Sequence, residues 1–451
     1  MNSEFPSIPG RLSINLDVAT PVFLGGADPR DSIDLRAPSV RGALRFWFRA
    51  MMGGLLGGHF DRCGDSLRRL EGAVFGDTDR ASRVQVRLSP REPNTCGTRA
   101  FYLRRNGFTG LIYLGNGLQD RRFLEPEQSR LQLGLRFRES GALRQVVLGT
   151  VWLWLHFGGV GARTRRGFGG LVADEMSPIG GLHLRPPRNS KRLLHHLKEG
   201  LRWVVEAFAR YAQQHGVSCS LGQDHSPSGQ VPDFSCFADW RAVITHRPAS
   251  RSGKSKSWVF WEDALDAAGI FLQDFRRRSG RSGRTRDYLD VIAPYLSSDD
   301  KSELSNLDLE NDAFGLPLLF RSRSWSRRTK RKGVVAKVEW KRRGAVHSRR
   351  ASPLIIRPIW CGDSFAASGA VGSYAIIWNF FKCRFLPQDA VERLQATKKH
   401  GSPRPCNIPV ADLGIIDEFL GKVSVDYRAK ERLDDRLIRG LASASTGGTP
   451  E

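Results

Sequence analysis

Leu12-Ser13-Ile14-Asn15-Leu16-Asp17-Val18 alternates apolar and polar residues, the period of a strand with one face in a core. A loop rich in Pro, Gly and Asp, Thr20 to Pro38, follows. The period then changes. From Ser39 to Met52, Val40, Leu44, Phe48 and Met51 fall on one helical face, and Arg41, Arg45 and Arg49 fall on another at i, i+4, i+8. Ser39 is the expected N-cap and Gly53-Gly54 the expected stop. A strand followed by a helix opens a mixed α+β domain.

The pattern continues outward. Val84, Val86 and Leu88 alternate, as do Leu131, Leu133, Leu135 and Phe137. A helix is predicted over Ala142 to Phe157, with Leu143, Val147, Val151 and Trp154 inward, and another over Lys191 to Gln214. Residues 216–236, rich in Gly, Ser, Pro and Asp, predict a linker. Beyond it the pattern restarts. Trp240–Thr245 is strand-like, Val259–Phe275 helical, and Leu316–Phe320, Val334–Trp340, Pro353–Trp360 and Tyr374–Phe381 strand-like, with Arg342-Arg343-Gly344 as a hairpin turn. The expected fold class is α+β: two ferredoxin-like (RRM-like, βαββαβ) domains with basic insertions. The expected division is 1–220, a linker over 221–236, a second domain over 237–441, and a small, polar, disordered tail over 442–451.

The chain has 451 residues, a length for two or three domains, and 40% of them are hydrophobic, which excludes wholesale disorder. Seventy Lys and Arg face 46 Asp and Glu, a net charge of +24. Such an excess repels itself in a compact state, and a polyanion relieves it. Nucleic acid is the first candidate and an anionic membrane surface the second. Seven scattered cysteines form no Cys-x-x-Cys pair, which argues against a disulfide framework or zinc ribbon and suits a reducing cytoplasm. Residues 1–10 lack the basic start and apolar run of a secretory signal. The longest apolar stretch, Val146 to Gly161, contains Thr150 and His156 and is too short for a bilayer span. A soluble, cytoplasmic protein with no membrane partner is expected.

The densest chemical signal is Gly158-Gly159-Val160-Gly161-Ala162-Arg163-Thr164-Arg165-Arg166-Gly167-Phe168-Gly169-Gly170. Glycine lets backbone N–H groups approach a phosphate, arginine offers planar bidentate contacts, and Phe168 has a ring that can stack on a base. No Gly-Lys-Ser/Thr follows, so it is not a Walker loop, and it departs from the dinucleotide fingerprint at Thr164. The bland reading is a flexible basic loop after a helix. The stripe Arg41/Arg45/Arg49, preceded by Arg36, is a cationic surface or simply a solvated helix face. Arg321 to Arg350 holds thirteen lysines and arginines against the single acid Glu339, with Trp325 and Trp340 interleaved, a density that favours contact with a nucleic-acid backbone. A second basic run covers 276–286.

Catalytic signatures are scarce. There is no His-x-x-x-His pair, no His-Glu-x-x-His and no Gly-Gly-Asp-Asp palm motif. His156, at the end of an apolar helix, reads as a core histidine and His347 lies amid arginines, and these are the two candidates for a general base. Asp28, Asp31 and Asp34 share a loop without regular ligand spacing. No cofactor, metal or catalytic residue is expected.

Four segments in order resemble one family: Thr20–Pro29 (TPVFLGGADP), Leu35–Ala50 (LRAPSVRGALRFWFRA), Val74–Thr78 (VFGDT) and the loop Gly158–Gly170. Together they are similar to the first RAMP subunit of type III-B CRISPR effector (Cmr) complexes, and Arg349–Leu354 is similar to a segment of that family's second domain. The resemblance implies two ferredoxin-like domains in a structural, RNA-binding subunit that leaves cutting to its neighbours. The implied partners are CRISPR guide RNA, held at its 3′ region, target RNA and the other RAMP subunits. The implied RNA-binding residues are Arg36, Arg41, Arg45, Arg49, Gly161, Arg163, Thr164, Arg165, Arg166, Gly167, Phe168, Arg349 and Arg350. Guide pairing reads sequence in such assemblies, so these contacts carry none. The alternatives are a RAMP endoribonuclease that processes precursor guide RNA and a pure protein scaffold.

Overall fold

The computed structural model describes residues 6–91, 98–101, 107–219, 231–246, 257–278, 313–315, 318–321, 334–347, 349–365, 371–384, 386–387, 389–396, 406–408, 410 and 412–446. Cys96, Asp299-Asp300, residues 220–230 of the expected linker, 279–286 of one basic run and 322–333 of the other lie outside them. The chain divides into two compact units: Met1–Ile270 with Ile355–Phe381 and Val423–Glu451, and Phe271–Leu354 with Lys382–Lys422.

In the first unit, β1 (Arg11–Val18) leads to α1 (Ala37–Leu55) and α2 (Phe60–Phe75), then β2 (Val84–Pro90). A small excursion follows: β3 (Thr98–Ala100), α3 (Thr109–Leu114) and β4 (Arg122–Leu124), with β3 and β4 paired. The chain returns as β5 (Arg130–Phe137), α4 (Ala142–Phe157), β6 (Leu171–Ala173) and α5 (Leu193–Gln214). The sheet order is β2-β5-β1-β6, antiparallel throughout, with Ile14 opposite Leu133 and Leu16 opposite Leu131. The period of two therefore sets the register. It places Ile14, Leu16, Leu131 and Leu133 in the core at 1% exposure or less.

The same succession recurs. β7 (Trp240–Thr245) precedes α6 (Trp261–Arg278). Later, β11 (Leu354–Gly362) and β12 (Gly372–Phe381) precede α7 (Gly414–Asp426), β15 (Glu431–Asp434) and α8 (Asp435–Thr446). The order β11-β12-β7-β15 repeats that of the first sheet: second, third, first, fourth. One apolar cluster serves both sheets. Trp47 of α1 lies 6.1 Å from Phe381 of β12, and Phe157 of α4 lies 5.6 Å from Trp240 of β7.

The second unit carries β8 (Leu318–Arg321), β9 (Val334–Arg342), β10 (Ala345–His347), β13 (Ala390–Ala396) and β14 (Cys406–Ile408). The path is β10-β9-β13-β14, with β8 also on β9. Phe271, Phe275, Phe314 and Phe419 pack edge to face at its core.

The structure corrects several expectations. α1 begins earlier than Ser39, because Pro38 suits the first helical turn, and Arg36 takes the N-cap position. Gly53 and Gly54 lie inside the helix, not after it. A Cβ on Gly54 would stand 2.9 Å from the Phe237 nitrogen, so these glycines permit close packing. α4 buries all its sides, not one stripe, because α1 and α5 flank it. The tail is helical through Thr446, with Ile438 and Ala442 fully buried. Cys63, Cys219, Cys236, Cys361 and Cys383 are buried, and no disulfide joins them. No described helix is long and apolar enough to cross a membrane.

Candidate nucleic-acid interface

The Gly/Arg loop leaves α4 at Gly158 and enters β6 at Leu171. It packs on the segment that follows β1. Ala162 N donates to Phe23 O at 2.9 Å, Gly169 N to Pro21 O at 2.8 Å, and Ala19 N to Gly170 O at 2.9 Å. Thr20 closes the base of the loop: its hydroxyl donates to Gly167 O at 2.9 Å and accepts from Gly170 N at 2.7 Å. The two conspicuous motifs of the sequence, residues 20–29 and 158–170, are thus one piece of structure.

The glycines serve this packing. Gly161 has φ +93° and a Cβ there would lie 2.3 Å from Phe23 O; Gly169 has φ +77° and a Cβ would lie 2.2 Å from Val160 O. No side chain fits at either place. The N–H groups of Val160, Ala162, Arg166, Gly167, Gly169 and Gly170 all donate within the protein. The expectation that the loop backbone cradles phosphate is therefore corrected for those six groups. The side chains are what the loop presents.

Gly161 and Arg163 are exposed, and Thr164, Arg165 and Arg166 half-buried. Arg163 takes φ +62° and donates through Nη2 to Asn116 O. Arg165 lies over the Phe46 ring of α1, 5.0 Å from its centroid, a cation–π contact that holds the guanidinium in place. Arg165 O accepts from Ile356 N of β11 at 3.1 Å, and Arg166 bridges the same residue. Phe168 is 1% exposed and packs edge to face on Phe23 and Phe101, so its ring is committed to the core and has no face left for a base.

Sequence reasoning missed the residue behind this arrangement. Arg357 of β11 is 2% exposed. It donates through Nη2 to Leu155 O at 2.6 Å and Leu171 O at 2.7 Å, one carbonyl before the loop and one after it. Burial lowers its pKa to about 10, still above neutral pH. Nothing in the hydropathy pattern of a fully buried strand marks an arginine as internal.

The arginine stripe separates into parts. Arg45 pairs with Glu71 of α2 at 2.5 Å and donates to Gly76 O, and Arg49 approaches the same carboxylate at 3.9 Å. These two brace α1 on α2. Arg36 pairs with Asp34 at 3.1 Å and donates to Gly25 O at 2.9 Å. Arg41 is exposed. Arg165 joins the loop to this helix through Phe46. Arg349 and Arg350 belong to the second unit. Arg349 is exposed, and Arg350 donates to Arg384 O at 3.3 Å.

The two histidines considered as bases differ. His156 is fully buried. Its Nδ1 donates to Trp152 O at 2.8 Å, so its Nε2 accepts from Nε2–H of His196 at 2.8 Å. Burial and the neighbouring His196 hold His156 well below the usual histidine range, and burial lowers His196 to about 4. Both ring nitrogens of His156 are engaged, so it has no geometry for taking a ribose proton. His347 is exposed and stacks on Trp340. Among the described residues no three His, Cys, Asp or Glu converge as metal ligands.

Residues 15–172 match the family model described as RAMPs: RAMP superfamily. The CRISPR system Cmr subunit Cmr1-1 of Pyrococcus furiosus is 33% identical over 149 residues, 32% of this chain and 41% of that protein. This chain thus matches about two fifths of the length of that relative. Subunit Cmr1-2 of the same organism is 27% identical over 176 residues, 35% of this chain and 91% of that protein. The crystal structure of Cmr1 from Pyrococcus furiosus in its apo form superposes with a TM-score of 0.52 at 16% identity, covering 94% of this chain and 98% of the other, a likeness of fold.

Proposed function

We propose that the chain, which matches the RAMP superfamily over residues 15–172, is a non-cleaving, RNA-binding subunit of a type III-B CRISPR ribonucleoprotein. In this reading each four-stranded sheet is the centre of one ferredoxin-like domain, divided near residues 221–236. The protein works in the cytoplasm with guide RNA, target RNA and the other RAMP subunits. It holds the 3′ region of the guide and helps engage the target.

One observation carries the proposal. Arg163, Arg165 and Arg166 emerge from a loop whose backbone is fixed at Phe23, Pro21, Thr20 and Arg357, so three guanidiniums sit on a rigid support. Preorganised arginines lose little freedom on meeting phosphates. Arg41 of α1 extends the cationic surface, while Arg36, Arg45 and Arg49 are held by carboxylates that a phosphate must displace. The contacts hold a backbone and read no bases.

Replacing Arg163, Arg165 and Arg166 with alanine tests it. RNA affinity falls across sequences, and the log–log salt slope flattens by roughly 0.7–0.9 per lost phosphate contact. An unchanged slope removes the loop from the interface.

A further inference from the structure

The hairpin β9–β10 carries a second feature with chemistry. Arg343 and Gly344 form its two-residue turn, with φ of +47° and +84°, the pattern of a type I′ turn. That turn fixes the register, and the register sets His347 directly opposite Trp340. The two rings lie parallel, 4.2 Å between centroids and 19° between planes. Trp340 Nε1 donates to Arg349 O at 3.2 Å, which fixes the indole edge.

Two readings of such a pair are possible. A cross-strand aromatic pair stabilises a hairpin by itself, by about 0.2–1 kcal/mol. But a pair that serves only the hairpin needs no exposed ring at the sheet edge. Here β10 ends the described path of its sheet, and His347 is exposed. One face of the imidazole is covered by the indole, and the residue keeps exposed surface.

The surroundings fit one class of ligand. Arg342 and Arg343 lie next to the pair in the strand and turn, and Arg349 carries the carbonyl that Trp340 binds; against them stands Asp389, which binds Arg342 at 2.6 Å and Arg343 at 3.1 Å. Glu392 lies opposite Trp340 on β13 but is fully buried, and Glu339 is buried on the other face of the sheet. Three arginines stand against one exposed carboxylate, so the balance of exposed charge is positive. An exposed aromatic pair beside a net positive rim suits a nucleobase whose phosphates run along that rim.

We propose that Trp340 and His347 form a stacking platform for an unpaired base of single-stranded RNA. The proposal rests on the reading that the chain binds RNA and adds where a base, as opposed to a phosphate, is held. A paired base keeps both faces in its own helix, so the platform selects single strands.

The full chain is titrated with a labelled oligouridine strand and with a blunt RNA duplex, as wild type, His347→Ala and His347→Phe. The platform predicts that His347→Ala weakens the single strand about tenfold, leaves the duplex within about twofold, and keeps the salt slope. His347→Phe restores the affinity, since a ring is what matters. Equal losses on strand and duplex, no loss, or failure of phenylalanine to rescue would each overturn it. The loop reading fails separately: there the Arg163/Arg165/Arg166 variant leaves the slope unchanged, whatever His347→Ala does.

Discussion

Arg357 donates to the carbonyl oxygen of Leu171 at 2.7 Å, which ties a strand of the second sheet to the exit of a loop belonging to the first. The same Nη2 reaches Leu155 O, so one buried guanidinium spans both ends of the loop. Arg357→Met fills the volume but leaves two buried carbonyls without this donor. Each orphaned group costs about 1–3 kcal/mol, offset in part because a buried charge is removed. The expected outcome is a urea midpoint lowered by the equivalent of about 2 kcal/mol, with weaker RNA binding. A variant as stable as wild type would show that the guanidinium is not the tie.

Two glycines give opposite results. Gly169→Ala forces a Cβ against Val160 O at φ +77° and should cost about 2 kcal/mol or more. Gly64→Ala, inside α2 with nothing within 4 Å of the new Cβ, should stabilise by about 0.5–1 kcal/mol. Thermal melts of the two variants check both signs.

The His156–His196 pair makes stability depend on pH. Both groups titrate lower in the folded protein than in the unfolded chain, whose histidines have pKa near 6.5. The unfolded state therefore takes up protons first. The stability from keeping the pair neutral is complete above pH about 6.5 and is lost as pH falls toward about 4. For His196 alone the loss is about 3 kcal/mol. Urea midpoints between pH 7 and 4.5 should fall less steeply for a His156→Phe/His196→Leu variant. Parallel profiles would show that the pair contributes nothing.

Ala442 lies fully buried in α8, where the sequence predicted a disordered tail. Ala442→Asp should cost about 3 kcal/mol or more, because a carboxylate enters an apolar core. A thermal midpoint within a degree of wild type would place the tail outside the core.

The purified chain should leave a labelled repeat RNA uncut, with or without EDTA. His156 is enclosed, and His347 is stacked on Trp340. Specific cleavage abolished by His347→Ala would instead assign an endoribonuclease.

Much of the fold was visible in the sequence. β1, β2, β5, β7, β11 and β12 follow apolar runs or alternation, and α4 matches its predicted span of Ala142 to Phe157. The hairpin at Arg343-Gly344 was likewise legible, since glycine at a positive-φ position is a local requirement. Several elements were missed, β13 and α7 among them. α2 mixes charge and apolar residues so evenly that its face emerges only against α1, and β6 and β15 are too short to show a period. Of the candidate site, the sequence marked the loop and its arginines but misjudged Phe168.

The sequence by itself determined which segments bury a face, where the chain turns, and that a large positive charge gathers in a few stretches. Those properties are local: they depend on neighbours one to four residues away. Only the tertiary structure decided that Thr20 and Arg357 anchor a loop far from both in sequence, that Arg45 and Arg49 share Glu71, and that Phe168 lies inside. A buried polar group is stable only beside its partner, and which residue becomes that partner is settled by how the sheets pack, not by composition.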